Sequence, residues 1–410
     1  MTHIAFVDPL ASVEFLVTKL RTAGLRLTAI YTLSNLPNSY LKIRPNLFDE
    51  VFYTDSYTDI SELANELMKN KIDRIYYGNE SSISFTDYLA QLVCPKFANP
   101  INSSTWKFDK YEMQEALQRT GLAHLQQLKV TAELTHEQIA KLAATSFPLI
   151  IKPVNSAGSS DVELCHSLDE IKKYLFHTQQ QENYNPFGKI VHEYVIQEYL
   201  QGDEYIIDTF SIDGQHFVSG VLKTVRSVYD SKPICLYSEI VSPLHPEVAA
   251  CIEYTLRVLT AVEMNNGLAH TELMVTGEGP RLIEVNPRIS GANGFINKLF
   301  QACGFPAQVD LLIASVKNTP VQNPDKTLFG RRVCLQNYVK RTIGNLNTDL
   351  LKQLPSFQEA EMLKQPGTTL ANPQNLLDAI AFVLLAHTDP NQVIRDYQQL
   401  IAWEQDLVLF

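Results

Sequence analysis

Apolar and polar positions in the first hundred residues alternate between two periods. Residues 3–7 form a short apolar strand pattern, residues 12–23 place apolar side chains at helical spacing up to Gly24, and residues 27–32 are strand-like again. Residues 60–70 predict a helix and residues 74–78 a further strand. Strands alternating with helices predict an α/β unit, a parallel sheet with helices on both faces. No G-x-G-x-x-G follows the first strand, which argues against a dinucleotide site there. Residues 100–104 read as a linker. Beyond them the spacing predicts a helix over 107–120 closed by Gly121, then a strand over 147–152. Strands are expected at 191–199, 205–212 and 216–222, the last two joined by Asp213-Gly214, a strong hairpin signal. A helix is expected at 246–261, then two strands, then a helix at 296–302. Past Thr319-Pro320 the pattern is irregular, with a strand near 332–338 and a helix near 390–405.

The two strands at 268–275 and 281–286 carry the most chemistry. Thr276-Gly277-Glu278-Gly279-Pro280 separates them and suits a five-residue hairpin loop. With Val275 opposite Arg281, Glu272 falls opposite Glu284. Directly opposed like charges are unfavourable, so something must compensate. A divalent cation is the simplest candidate, because hard cations take carboxylate and amide oxygens. Glu284, Asn286 and Arg288 are two residues apart and share a face. Glu272, Glu284 and Asn286 would supply metal oxygens beside the fixed charge of Arg288, an arrangement that recurs in phosphoryl transfer. For the two glutamates alone, a solvent-facing strand is the plain alternative.

Two upstream segments add phosphate chemistry. Lys152 ends the apolar strand at 147–152 and is followed by Asn155-Ser156-Ala157-Gly158-Ser159-Ser160, whose backbone N–H groups could cover phosphate oxygens. Lys110 is a second candidate cation. The loop holds one glycine and matches no Walker A pattern, so an ordinary turn beside a snorkelling lysine is the alternative. Gln197-Glu198-Tyr199-Leu200 runs into Gly202 and Glu204, where backbone groups could face a base edge and an acid could accept from ribose hydroxyls; a strand–turn–strand with exposed acids is the alternative.

Composition narrows the field. The net charge is -11, so a nucleic-acid backbone would be repelled on average. No apolar run approaches the roughly 20 residues that span a bilayer, and the N-terminus shows no signal-peptide pattern. Six cysteines are scattered singly, which suits reduced thiols in a cytoplasmic protein.

These pieces occur in the order and spacing of the ATP-grasp superfamily, which the chain resembles over residues 1–320. Residues 270–291 (HTELMVTGEGPRLIEVNPRISG), with QPGTTL and LLDAIAFVLLAH near the C-terminus, resemble the L-amino acid ligase branch, whose members form dipeptides. The resemblance implies an N-terminal doubly wound α/β domain (1–104), α+β lobes holding ATP between them (105–194 and 195–320) and a small C-terminal domain (321–410). It implies phosphate contacts by Lys110 and Lys152, and a phosphate-covering loop with Ser156, Gly158, Ser159 and Ser160. It implies an adenine-reading hinge at Gln197, Glu198, Tyr199 and Leu200, with Glu204 on the ribose. Glu272, Glu284 and Asn286 match its magnesium ligands, two ions being expected, with manganese as the alternative. Arg288 and Gly291 match the residues that hold the activated carboxylate. His270 is a candidate substrate contact or a structural histidine. One departure is Gln197, where many relatives carry glutamate. The implied reaction is an ADP-forming carboxylate–amine ligation of small molecules, an amino acid or other carboxylate with an amine, without nucleic acid or membrane. A homodimer is the assembly to test. A bicarbonate-phosphorylating enzyme and a non-catalytic nucleotide-binding regulator are the rival readings.

Overall fold

The computed structural model describes all residues except 1, 11, 33–43, 55–59, 157–160, 181–191, 230–231, 244, 322–327 and 371–377. The chain opens with β1 (His3–Val7), α1 (Val13–Thr22), β2 (Arg26–Thr32), β3 (Glu50–Thr54), α2 (Ile60–Lys69), β4 (Arg74–Tyr77) and α3 (Ile83–Val93). The four strands form a sheet of order β3-β2-β1-β4, parallel throughout. β1 is buried at every position. Its alternate residues serve different faces. Ile4 and Phe6 pack toward α1 and Leu312, while Ala5 and Val7 pack toward Leu63, Leu67, Phe85 and Leu89 of α2 and α3. The expected parallel α/β unit is present.

Of residues 100–104, read as a linker, Pro100 caps and the rest belong to a 3₁₀ segment, Ile101–Lys107. The following helix α4 (Lys110–Arg119) starts later than its apolar spacing suggested. Asp109 sets that start, because its side chain accepts from the N–H groups of Tyr111 and Glu112. Next come β5 (Gln127–Thr131), α5 (His136–Ala143), β6 (Leu149–Pro153), β7 (Glu163–Cys165), α6 (Leu168–Gln180) and β8 (Glu193–Glu198). Their strands form an antiparallel sheet of order β5-β8-β6-β7. Leu142, Ile171 and Leu175 of the two helices cover it.

The rest is built on one large sheet. Its strands are β9 (Asp203–Ile212), β10 (Gln215–Tyr229), β11 (Lys232–Ile240), β12 (Gly267–Thr276), β13 (Gly279–Asn286), β14 (Phe329–Leu335), β16 (Phe357–Met362) and β18 (Ala381–His387). The order is β13-β12-β9-β10-β11-β14-β18-β16, so strands beyond residue 320 extend the same sheet. β10 is longer than its apolar run predicted because β9 and β11 pair with it along successive halves. β15 (Arg341–Thr342) and β17 (Thr369–Leu370) make a separate small ribbon. α7 (Pro246–Ala261) covers one face of the large sheet and α8 (Phe295–Ala302) the other. α9 (Gln308–Lys317) docks on the first domain, α10 (Thr348–Leu351) is a single turn, and α11 (Pro390–Gln405) backs the C-terminal strands.

Candidate active site

Glu272 pairs with Glu284 across β12 and β13, as the sequence register required, but by a different route. Val275 faces Pro280, not Arg281, and Thr276 faces Gly279. The connection is therefore a two-residue turn, Gly277-Glu278, rather than a five-residue loop. A bulge between Glu272 and Leu273 absorbs one extra residue on β13 and restores the pairing. His270 then faces Asn286 on one side and Asp208 of β9 on the other.

The like charges are compensated by side chains of the protein. The ammonium of Lys110 lies 2.7 Å from Glu284 Oε2 and also donates to the Ser156 carbonyl at 2.7 Å. His270 Nδ1 lies 2.7 Å from Asp208 Oδ1, and its Nε2 lies 3.5 Å from Glu272 Oε1. Burial lowers the His270 pKa, but Asp208 and then Glu272 outweigh it and raise it to about 9. Burial likewise pushes Glu272 up, while His270, Arg226 and Arg288 pull it down to about 2. Asn286 is buried and donates from its amide nitrogen to Glu284 Oε1 at 3.3 Å. Two carboxylates and an amide on adjoining strands are a hard-oxygen donor set that fits magnesium or manganese. Among the described residues, no three or more His, Cys, Asp or Glu side chains gather as a metal cluster, so the two glutamates and the amide stand as the candidate set.

Lys152 sits on β6, facing this hairpin from the smaller sheet. Burial first, and Lys110 second, lower its pKa to about 8 against the pull of Glu284 and Glu272. Both candidate phosphate lysines and both candidate metal glutamates thus form one electrostatic group. Ser156 borders it through Lys110, whereas Gly158, Ser159 and Ser160 lie outside the described residues.

The hinge follows β8. Gln197 is buried, with its amide nitrogen donating to Gln127 Oε1 at 3.2 Å, and Glu198 accepts from the Gln126 N–H at 2.8 Å. Tyr199 is 42% exposed. Leu200 and Gln201 lead to Gly202, where a Cβ would stand 1.9 Å from the Val275 carbonyl oxygen; only glycine lets the hinge pack against the end of β12. Glu204 is held by both ends of a guanidinium, Arg226 Nε and Nη2, each at 2.6 Å.

Arg288 follows β13, and its Nε lies 2.6 Å from Glu80 Oε1. Gly291 is adjacent: a Cβ built there would stand 3.9 Å from Arg288 Nη1. Glu80 is 8% exposed and comes from the first domain, just past β4. The sequence reading passed over it, along with Arg226 and Asp208. A signal for Glu80 existed, since Asn79-Glu80-Ser81-Ser82 lies beyond the carboxyl end of a parallel strand, where open α/β sheets bind ligands. Asp208 and Arg226 carry no comparable signal, because each is polar within a strand and acquires its partner only through sheet pairing.

The arrangement can be compared with known proteins. Residues 145–295 match the ATP-grasp domain family. Dapdiamide A synthase of Enterobacter agglomerans is 27% identical over 262 residues, which are 61% of this chain and 61% of that protein. The chain therefore aligns with under two thirds of that relative's length. The L-amino acid ligase of Bacillus licheniformis superposes with a TM-score of 0.74 at 17% identity, over 98% of this chain and 97% of the other. The N5-carboxyaminoimidazole synthase of Aspergillus clavatus, solved with ADP and 5-aminoimidazole ribonucleotide, gives 0.70 at 13% identity, over 99% of each chain. These structures share the fold across nearly the whole length. The hairpin of paired glutamates, Lys152 and the hinge thus lie within the stretch, residues 145–295, that matches the ATP-grasp domain family, with Lys110 reaching it from upstream.

Proposed function

We propose that the protein is an ADP-forming carboxylate–amine ligase that joins amino acids through an acyl-phosphate. The observation that carries this reading is the paired Glu272–Glu284 hairpin, which with Lys152 and Arg288 lies in the stretch that matches the ATP-grasp domain family, and on which Lys110 converges from upstream. ATP would lie with adenine at Gln197–Leu200. There Gln127 takes the Gln197 amide nitrogen, so the adenine amino group would meet the amide oxygen. Glu204, held in place by Arg226, would accept from the ribose hydroxyls. Glu272, Glu284 and Asn286 would hold magnesium, which would supply positive charge to offset that of the phosphates.

A substrate carboxylate oxygen attacks the γ-phosphorus, the bond to the β-phosphate oxygen breaks, and ADP leaves. Lys110 and Lys152 neutralise the phosphoryl oxygens. A neutral amine then attacks the acyl carbon, phosphate departs with the electrons of the broken C–O bond, and the nitrogen gives up a proton, taken by phosphate or water, as the amide forms. Arg288 and the Gly291 N–H donate to the oxygen that gains charge, a contribution of roughly 3 kcal/mol for one good donor. Glu80 beside Arg288 supplies an acid next to a base, the charge pattern that complements the ammonium and carboxyl of an α-amino acid. Closure of the smaller sheet over the site would exclude water from the acyl-phosphate.

The test is phosphate release from magnesium-ATP across a matrix of amino acids and amines, with mass spectrometry of the products. ADP, phosphate and a dipeptide are expected. AMP and pyrophosphate would overturn the scheme. Bicarbonate-dependent ADP release without an amino acid would favour the carboxylase-like reading, and ATP binding without turnover a regulator. Among the described residues no helix is long and apolar enough to cross a membrane, which is compatible with small-molecule substrates met in the cytoplasm. Sedimentation would decide between monomer and homodimer.

A further inference from the structure

The segment Arg288–Gly294 follows the metal hairpin, yet it is fastened from the opposite end of the chain. Ser12, in the turn between β1 and α1, shares its one Oγ–H between the Ser290 carbonyl at 2.7 Å and the Gly291 carbonyl at 3.1 Å, and accepts from the Gly294 N–H at 2.8 Å. One hydroxyl thus grips three successive parts of the loop. The turn is built for this contact. Ser12 is buried and holds a left-handed backbone, φ 49°, unusual for a residue with a Cβ. Gly294 also has positive φ, 82°, and a Cβ there would stand 2.6 Å from Cβ of Phe15, so α1 and the loop are in direct contact. Glu80 adds a second tie from the same domain through Arg288.

A trans peptide sets its carbonyl and its N–H on opposite sides. With the Ser290 carbonyl turned to Ser12, the Gly291 N–H in the same peptide points away from Ser12. Arg288 lies beside Gly291, and the Gly291 N–H has no hydrogen-bond partner among the described residues. We infer that Ser12 is a positioning residue: its hydroxyl sets the peptide plane that aims the Gly291 N–H at the charge developing on the acyl oxygen. This rests on the ligase reading proposed above. It makes docking of the N-terminal domain a condition for a formed acyl site, over and above any contact that domain makes with substrate.

Two variants separate positioning from folding. Ser12→Ala removes the hydroxyl and keeps the backbone strain, whereas Ser12→Gly removes the hydroxyl and relieves the strain. Both are expected to lower kcat by about ten- to a hundredfold, the scale of a small misplacement at a reacting centre. The Kd for magnesium-ATP, measured by calorimetry, should stay within about twofold of wild type, and Ser12→Gly should melt at or above Ser12→Ala. Amide hydrogen exchange over residues 288–296 should be about tenfold faster in both variants, with or without turnover. Wild-type kcat and exchange in either variant would overturn the inference. So would a kcat loss confined to the less stable variant. A wild-type enzyme silent toward every amino acid would instead defeat the ligase reading, while the exchange measurement still decides whether Ser12 holds the loop.

Discussion

At the proposed phosphate end of the site three ion pairs join residues far apart in sequence, while Lys152 is buried beside Lys110. Lys110 lies against Glu284, His270 bridges Asp208 and Glu272, and Arg288 meets Glu80. At the proposed adenosine end Glu204 pairs with Arg226, beside a hinge whose Tyr199 is exposed. The difference teaches where the binding energy and the chemistry reside. The phosphate end is a buried, mutually compensated set, so removing one member leaves an uncompensated charge. The proposed adenosine end carries Glu204, oriented by Arg226, whose loss should weaken binding without stopping the reaction.

The largest expected effect tests the compensated end. Glu284→Ala removes a proposed metal-binding oxygen and takes the carboxylate from Lys110; turnover should be lost by about a thousandfold or more, with magnesium affinity falling in parallel. Wild-type turnover would disprove the assignment. Next is Arg288→Met, expected to cost about a hundredfold in kcat with magnesium-ATP affinity nearly unchanged, read by steady-state kinetics and calorimetry. At the adenosine end, Glu204→Gln should raise the Kd for ATP about tenfold while kcat at saturation falls by less than about threefold, a split opposite to that of Arg288→Met. Equal losses in the two parameters would erase the contrast.

The smallest effect is a pH dependence confined to the phosphate end. Lys152 has a pKa lowered to about 8, chiefly by burial. Phosphate binding favours its charged form, so above pH 8 binding must be accompanied by proton uptake. ATP affinity should therefore fall as pH rises through 8, by at most about tenfold per unit, and adenosine affinity should not. Lys152→Met should flatten the ATP profile. In the free protein the sign is reversed: the folded state binds fewer protons than the unfolded chain between about pH 8 and 10.5, so the destabilisation that buried Lys152 imposes at lower pH is relieved as pH rises through that range.

Much of this was legible in the sequence, for specific reasons. The period-2 alternation around Glu284, Asn286 and Arg288 is a property of any strand, so their common face could be counted out. The Glu272–Glu284 pairing was also reached by counting, although a shorter turn and a bulge had shifted the count in opposite directions. A turn of two residues and one of five differ in register, and periodicity cannot tell them apart when the loop is rich in glycine. Helix starts were less legible: α4 begins where the Asp109 side chain caps it, not where the apolar spacing begins.

What the sequence determined by itself is therefore the set of chemical groups and their local faces: two glutamates and an asparagine on adjoining strands, a lysine at the end of an apolar strand, an arginine and a glycine just past the hairpin. Those follow from residue identity and from the fixed geometry of strands. Only the tertiary structure decided which distant residues answer them. Glu80 reaches Arg288, Arg226 orients Glu204, Asp208 holds His270, and Ser12 grips the loop around Gly291 from 278 residues away. Such partners are chosen by sheet order and domain docking, which bring together side chains whose spacing along the chain carries no trace of the meeting.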